Sequence, residues 1–287
     1  MQINRKSFLL FQVCAFLVFI GRAYQFYFFG APFREFLWDE SFLSPIVEGV
    51  FNTPWYDYAT SPLVNKWIEF VTKGFSIVLL LGAFISLFWQ QITWIKVKKS
   101  ILGFGIFILI LLGICLVKSK RYDPLQFFEL SIQFAAIFVL FFSKNSKIAN
   151  KRRLLFWLRV TIALVFISHG LFAMGLIYVP GHFIDMSISI LGTTEAQTKH
   201  FLFVFGLLDV VASILIFVPK LYKYAFIYII VWGIVTALAR LVSGFNSDFV
   251  LNSFHQFLYL TIYRLPHGLM PLATFMLYKE FEKQPKN

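Results

Sequence analysis

The chain has 287 residues, of which 59% are hydrophobic and only 14% charged, with a net charge of +12. A soluble domain carries roughly a quarter charged residues, so this composition excludes a hydrated globular domain. It also excludes the nucleic-acid reading of the net charge, because Lys and Arg sit in short clusters between long apolar blocks. The two cysteines, Cys14 and Cys115, lie inside apolar blocks without C-x-x-C spacing; they read as small buried hydrophobes, and thiol relay chemistry lacks its residues.

The apolar blocks predict an all-α polytopic transmembrane helical bundle of about eight spans. In chain order they are Phe8–Gly30, Trp67–Gln90, Ser100–Val117, Pro124–Phe142, Leu154–Tyr178, Lys199–Phe217, Leu221–Val242 and Phe254–Leu277. Most connections are short. The exception, Ala31 to Lys66, holds Pro32, Pro45, Pro54 and Pro62 and is expected to be irregular or partly helical. Arg5-Lys6 followed by Ser7–Ile20 has the outline of a signal peptide, but Gly21-Arg22-Ala23 is a poor cleavage site and aromatic residues continue to Phe29, so the expectation is a retained first span.

With the N-terminus inside, the cytoplasmic segments hold Arg5, Lys6, Lys96, Lys98, Lys99, Lys144, Lys147, Lys151, Arg152, Arg153, Lys220, Lys223, Lys279, Lys283 and Lys286. The outer segments hold Arg34, Lys66, Lys118, Lys120, Arg121 and Lys199. Fifteen against six is the positive-inside pattern and places both termini in the cytoplasm. Lys118-Ser-Lys120-Arg121 is the one cluster on the wrong side.

The halves look alike. Phe16-Leu-Val-Phe-Ile-Gly-Arg22 parallels Ala163-Leu-Val-Phe-Ile-Ser-His169, and Gln126-Phe-Phe-Glu-Leu-Ser-Ile132 parallels Gln256-Phe-Leu-Tyr-Leu-Thr-Ile262. This predicts a parallel four-plus-four internal duplication, 1–148 with the long outer loop 31–66 and then 149–287. In the second half, Leu158-Arg159, Phe166-Ile-Ser-His169-Gly170-Leu171 and Gly206-Leu-Leu-Asp209 resemble the DoxX-like family of bacterial four-helix membrane proteins over roughly residues 154–242. That family has an early Arg, an F-x-x-x-G segment and an acidic residue in its second helix. The resemblance implies a bacterial inner membrane, and association with a membrane redox or envelope assembly and quinone-linked chemistry. The position matching Arg159 in the first half is Gln12.

Ionisable residues at bilayer depth are costly and face a bundle interior with a partner. Ten fall inside the predicted spans: Arg22, Glu69, Lys73, Glu129, Arg159, His169, Asp209, Arg240, Arg264 and His267. All but Arg159 fall between the mid-plane and the outer face. Glu69, Lys73 and Arg240 are near enough to a helix end to snorkel. The remaining outer group, Arg22, Glu129, His169, Asp209, Arg264 and His267, predicts a ligand site in the outer half of the bundle. Asp209 is expected to pair with Arg22, Arg264 or Arg240, and Arg22 to approach His169. Two Arg and two His suit a phosphate, a carboxylate or a quinone headgroup. No metal-binding pattern and no nucleotide, haem or hydrolase motif occurs in the sequence. The expected function is a membrane-embedded binding or accessory protein with the bilayer and another membrane protein as partners. The alternatives are a small-solute or lipid transporter, for which broken helices are not evident in the sequence, and an intramembrane enzyme using His169, His267 or Lys73 as acid or base.

Overall fold

The computed structural model describes residues 3–144, 146–147 and 150–282. Lys283 and Lys286 of the basic count, and the expected boundary between residues 148 and 149, lie outside the described residues. The described residues form fourteen α-helices and no strand. In order these are α1 (Arg5–Phe28), α2 (Arg34–Leu37), α3 (Glu40–Gly49), α4 (Trp55–Thr60), α5 (Pro62–Leu87), α6 (Ile95–Ser119), α7 (Leu125–Phe128), α8 (Ser131–Phe142), α9 (Lys151–Ala173), α10 (Gly181–Leu191), α11 (Glu195–Leu215), α12 (Tyr222–Gly244), α13 (Val250–Ile262) and α14 (Pro266–Glu282). Six of them, α1, α5, α6, α9, α11 and α12, are long and apolar enough to cross a membrane. The chain therefore has the build of a multi-pass membrane protein.

Local chemistry sets the helix ends. Ser61 caps α5 with its hydroxyl, and Pro62 follows at the first helical position, where its missing N–H costs nothing. Asn150 Oδ1 accepts from the backbone N–H of Arg153, 2.9 Å, to start α9. Thr194 and Gln197 close a capping box on α11. These polar starts lie a few residues outside the apolar blocks, so the helices overrun the predicted spans at their N-terminal ends. The long segment 31–66 is mostly helical: α2, α3 and α4 fill it, and α5 begins at Pro62.

The expected fourth and eighth spans are each divided. The fourth is α7 and α8, interrupted at Glu129-Leu130; the eighth is α13 and α14, interrupted at Tyr263-Arg264-Leu265. Broken helices are thus present. Pro266 accounts for the second break, because it has no N–H to continue the ladder and its ring crowds the preceding turn.

Contacts sort the helix ends onto two faces. On one, Ile3 donates its N–H to the Ser146 carbonyl (2.9 Å), Ser7 Oγ donates to Glu280 (3.0 Å), Lys151 Nζ lies 3.6 Å from Glu280, and Tyr222 Oη donates to Glu282 (2.5 Å). Gln12 Nε2 donates to the Ser86 and Leu87 carbonyls there, both at 3.1 Å, so the start of α1 meets the end of α5. On the other face, Tyr24 Oη lies 2.6 Å from His255 Nδ1, Gln126 Nε2 donates to Tyr178 Oη (3.1 Å), and Ser189 Oγ on α10 donates to the Ser243 carbonyl at the end of α12 (3.1 Å). Lys118 on this second face is neutralised by Asp39 and also donates to the Glu35 carbonyl.

The helices α1 and α9 are the inner pair: α1 packs on α5, α8, α13 and α14, and α9 on α11, α7, α8 and α14. The α9–α11 crossing is set by two glycines. A Cβ on Gly170 would sit 2.6 Å from the Gly206 carbonyl oxygen, and one on Gly206 would sit 2.7 Å from the Gly170 oxygen, so only hydrogen is tolerated at either. These glycines belong to the two segments that carry the family resemblance.

Candidate functional site: a cationic cavity beside two broken helices

The interruption after α13 presents three consecutive features. The backbone N–H groups of Arg264 and Leu265 both reach back to the Thr261 carbonyl, at 3.0 and 2.9 Å. Pro266 then restarts the helix. The Arg264 carbonyl is met by the His267 backbone N–H and by His267 Nδ1, each at 2.8 Å. The break therefore holds Arg264 and His267 in fixed relation, and Glu129 stands at the corresponding break between α7 and α8.

A cavity of about 170 Å³ opens beside this break, between α9, α10, α11, α12 and the start of α14. Its body is apolar and aromatic, with Val165, Phe166, Phe183, Leu202, Phe205, Trp232 and Val235 in the wall. Its polar members are His169, Ser187, Asp209, Thr236, Arg240, Arg264 and His267. Helix α10, which carries Phe183, Met186 and Ser187 into the lining, closes it on the second face.

The structure brings four of the six predicted site residues to this wall: His169, Asp209, Arg264 and His267. Glu129 stands behind His169, with Oε1 3.6 Å from His169 Nε2. The His169 ring is stacked on Phe183 with centroids 6.0 Å apart, and lies edge-on to the His267 ring at 5.6 Å. Arg22 is buried but does not line the cavity. Its Nε donates to Gln133 Oε1 (3.0 Å) and a terminal nitrogen to Gln25 Oε1 (2.7 Å), while its guanidinium lies 3.8 Å from the Tyr263 ring centroid. Arg22 thus uses neutral acceptors and a π face, and it makes no contact with His169 among the described residues; Glu129 lies within electrostatic reach of both.

Two expectations need correction. Asp209 has no basic partner among the described residues. It is buried, and its carboxylate accepts from Tyr228 Oη at 2.9 Å and from Trp232. The partners are aromatic donors from α12, which sequence spacing gave no reason to prefer over an arginine. Arg240 does not snorkel. It is only 8% exposed and lines the cavity, because α10 folds over the end of α12 and removes the route to the surface. A plain connection over residues 179–198 would leave Arg240 open to the surface; α10 is what closes it in.

Several polar atoms at this site are buried without a hydrogen-bond partner among the described residues: Nε of Arg240, Nε of Arg264, and Nε2 of both His169 and His267. Arg240 has one hydrogen bond, from a terminal nitrogen to the Met186 sulfur at 3.4 Å. An unpaired guanidinium in a dry interior costs on the order of several kcal/mol, so this concentration of unmet polar atoms marks a place where a ligand would be stabilised. When the chain was compared with known family models, curated proteins and solved structures, none matched it.

Proposed function

We propose that the chain is an integral membrane binding protein whose cavity between α9 and α12 holds an amphipathic ligand, headgroup against Arg240, Arg264 and His267 and apolar body among Phe166, Phe205 and Trp232. The observation that carries this reading is the coincidence of an apolar cavity with four unmet buried polar atoms at its polar end. Pockets of this kind, mostly apolar with a few convergent polar groups, are the usual form of small-molecule sites. The DoxX-like resemblance implies a quinone ligand, whose carbonyl oxygens could accept from the guanidiniums but would leave their charge unmet; it would make the protein an accessory subunit of a bacterial inner-membrane redox or envelope assembly.

The accompanying topology is eight passes in two parallel halves, both termini cytoplasmic, with the cavity in the outer half of the bilayer. The division of helix ends between two faces supports eight passes. The duplication is supported by the matching breaks at Glu129 and Arg264, and by α1 and α9 each packing on both α8 and α14. The basic-residue split supports the orientation.

Mass spectrometry of protein extracted from native membranes tests the binding function. A co-purifying molecule should be present in the wild type and absent from Thr236→Trp, which fills the cavity. An identical mass profile for the two proteins would contradict it. The breaks at Glu129 and Arg264 favour a second reading, a small-solute or lipid transporter, because interrupted helices at a binding site are a transporter feature. Ligand accumulation in sealed vesicles would select that reading.

A further inference from the structure

The structure assigns a charge to this ligand: we infer that the cavity selects an organic oxyanion, a carboxylate or phosphate carried on a single ring or short apolar chain, held between Arg240 and Arg264. The inference rests on the binding reading above and adds the chemistry of the headgroup.

Charge is the first argument. The cavity wall carries two guanidiniums and one carboxylate, Asp209, and that carboxylate is already engaged by Tyr228 and Trp232. Glu129, which does not line the cavity, lies 3.6 Å from His169 and within electrostatic reach of Arg264, Arg240 and Arg22. No carboxylate of the described residues forms an ion pair with Arg240 or Arg264. With Arg22 also counted, three guanidiniums stand against the two carboxylates Asp209 and Glu129, so the region keeps one positive charge beyond its carboxylates in an apolar setting, and a monoanion neutralises it. A guanidinium offers a planar donor fork that matches a carboxylate or phosphate edge.

Direction is the second argument. Among the described residues Arg240 is tethered only to a thioether, a weak acceptor that an oxyanion would displace without loss. His267 supplies the complementary function. A carbonyl can only accept, so the 2.8 Å contact with the Arg264 oxygen requires the hydrogen on Nδ1, and the neutral ring then offers Nε2 as a buried acceptor. A headgroup with an acidic O–H beside its charged oxygens would meet both arginine forks and this nitrogen. Size is the third argument. An engineered apolar cavity of about 150 Å³ accepts benzene, so 170 Å³ accommodates one ring with its substituent, and the aromatic walls suit such a body.

The test is equilibrium dialysis of radiolabelled benzoate, benzamide, benzylammonium and phenylphosphonate against the full-length protein in nanodiscs, with empty nanodiscs subtracted. Benzoate or phenylphosphonate should bind saturably, at least about tenfold tighter than benzamide or benzylammonium, as charge-assisted hydrogen bonds imply. The rank of the two anions separates a carboxylate source from a phosphate headgroup. Arg240→Leu should abolish the preference while leaving weak benzamide binding, which also reports that the variant is folded. Arg240→Lys, which keeps the charge and loses the fork, serves if the leucine variant does not assemble, and should narrow the preference. Equal binding of benzoate and benzamide, both lost in Thr236→Trp, would overturn the anion and leave a ligand cavity standing. Preference for benzylammonium, or anion selectivity that survives Arg240→Leu, would also overturn it. Absence of saturable binding by all four probes, with no co-extracted molecule, would sink the binding function as well.

Discussion

The imidazole of His267 is hydrogen-bonded through Nδ1 to the carbonyl of Arg264, three residues back, at 2.8 Å. One side chain thereby caps the interrupted helix and turns its other nitrogen toward the cavity. The break and the site are a single construction: the Arg264 carbonyl in the interrupted turn orients the histidine, and the same turn places Arg264 at the cavity.

Replacing His267 with Phe should therefore destabilise the fold as well as the site. It leaves the Arg264 carbonyl with only a backbone donor and removes a buried acceptor, and the loss should be about 1–3 kcal/mol. Asparagine, whose side-chain N–H can donate to the same carbonyl, should recover much of the stability. Denaturant unfolding in a defined micelle reads both; equal losses for Phe and Asn would contradict the capping role.

Asp209 and Tyr228 should behave as a coupled pair. Tyr228→Phe removes the hydroxyl that donates at 2.9 Å and leaves a buried carboxylate short of a partner, at a cost of about 1–3 kcal/mol. The double variant Asp209→Leu/Tyr228→Phe should lose less than the two single losses added together, because neither group is then left unpaired. Strict additivity in the unfolding free energies would show that the contact carries no energy.

Gly170→Val should separate α9 from α11. Its Cβ would lie 2.6 Å from the Gly206 oxygen, a contact that backbone must move to relieve. Overpacking of this kind costs about 1–3 kcal/mol or more, and the shift should distort the wall that contains His169 and Asp209. Gly181→Ala is the control, since nothing lies near a Cβ there and the site should be unaffected. Thermal stability and cavity occupancy measured together test this, and unchanged values for Gly170→Val would refute the crossing.

The segment 31–61 should open in acid. Asp39 accepts from Lys118 and Ser41, and these contacts hold its carboxyl down to about 2. A carboxylate lowered in the folded state contributes fully above its ordinary value near 4, and that contribution is lost as pH falls through the folded value. Protease resistance of residues 31–61 should hold from pH 7 to about 4 and then decline toward pH 2. Asp39→Asn should show the weakened state already at pH 7. Identical digestion of the two proteins at neutral pH would count against the tether.

Much of the bundle is legible in the sequence because apolar length is a sufficient signal for a spanning helix, and six long helices fall on predicted blocks. The concentration of His169, Arg264 and His267 at one depth was legible for the same reason: charge in an apolar block must be accommodated. The pairing was not. Asp209 chose Tyr228, and Arg22 chose Gln133, Gln25 and the Tyr263 ring, because donors on neighbouring helices are set by helix rotation, which a single sequence does not display. Arg240 is obscured by a different cause: α10, within a stretch whose Gly and Thr residues resemble a connection, folds over the end of α12.

The central claim, a membrane bundle whose ligand cavity lies toward the outside, is tested most directly by cysteine accessibility in intact cells. In a background with Cys14 and Cys115 replaced, Asp185→Cys on exposed α10, which roofs the cavity, should react with an impermeant thiol reagent, whereas Arg152→Cys at the start of α9 should react only after lysis. Labelling of Arg152→Cys in intact cells together with protection of Asp185→Cys would invert the orientation and place the cavity on the cytoplasmic side, contrary to this account.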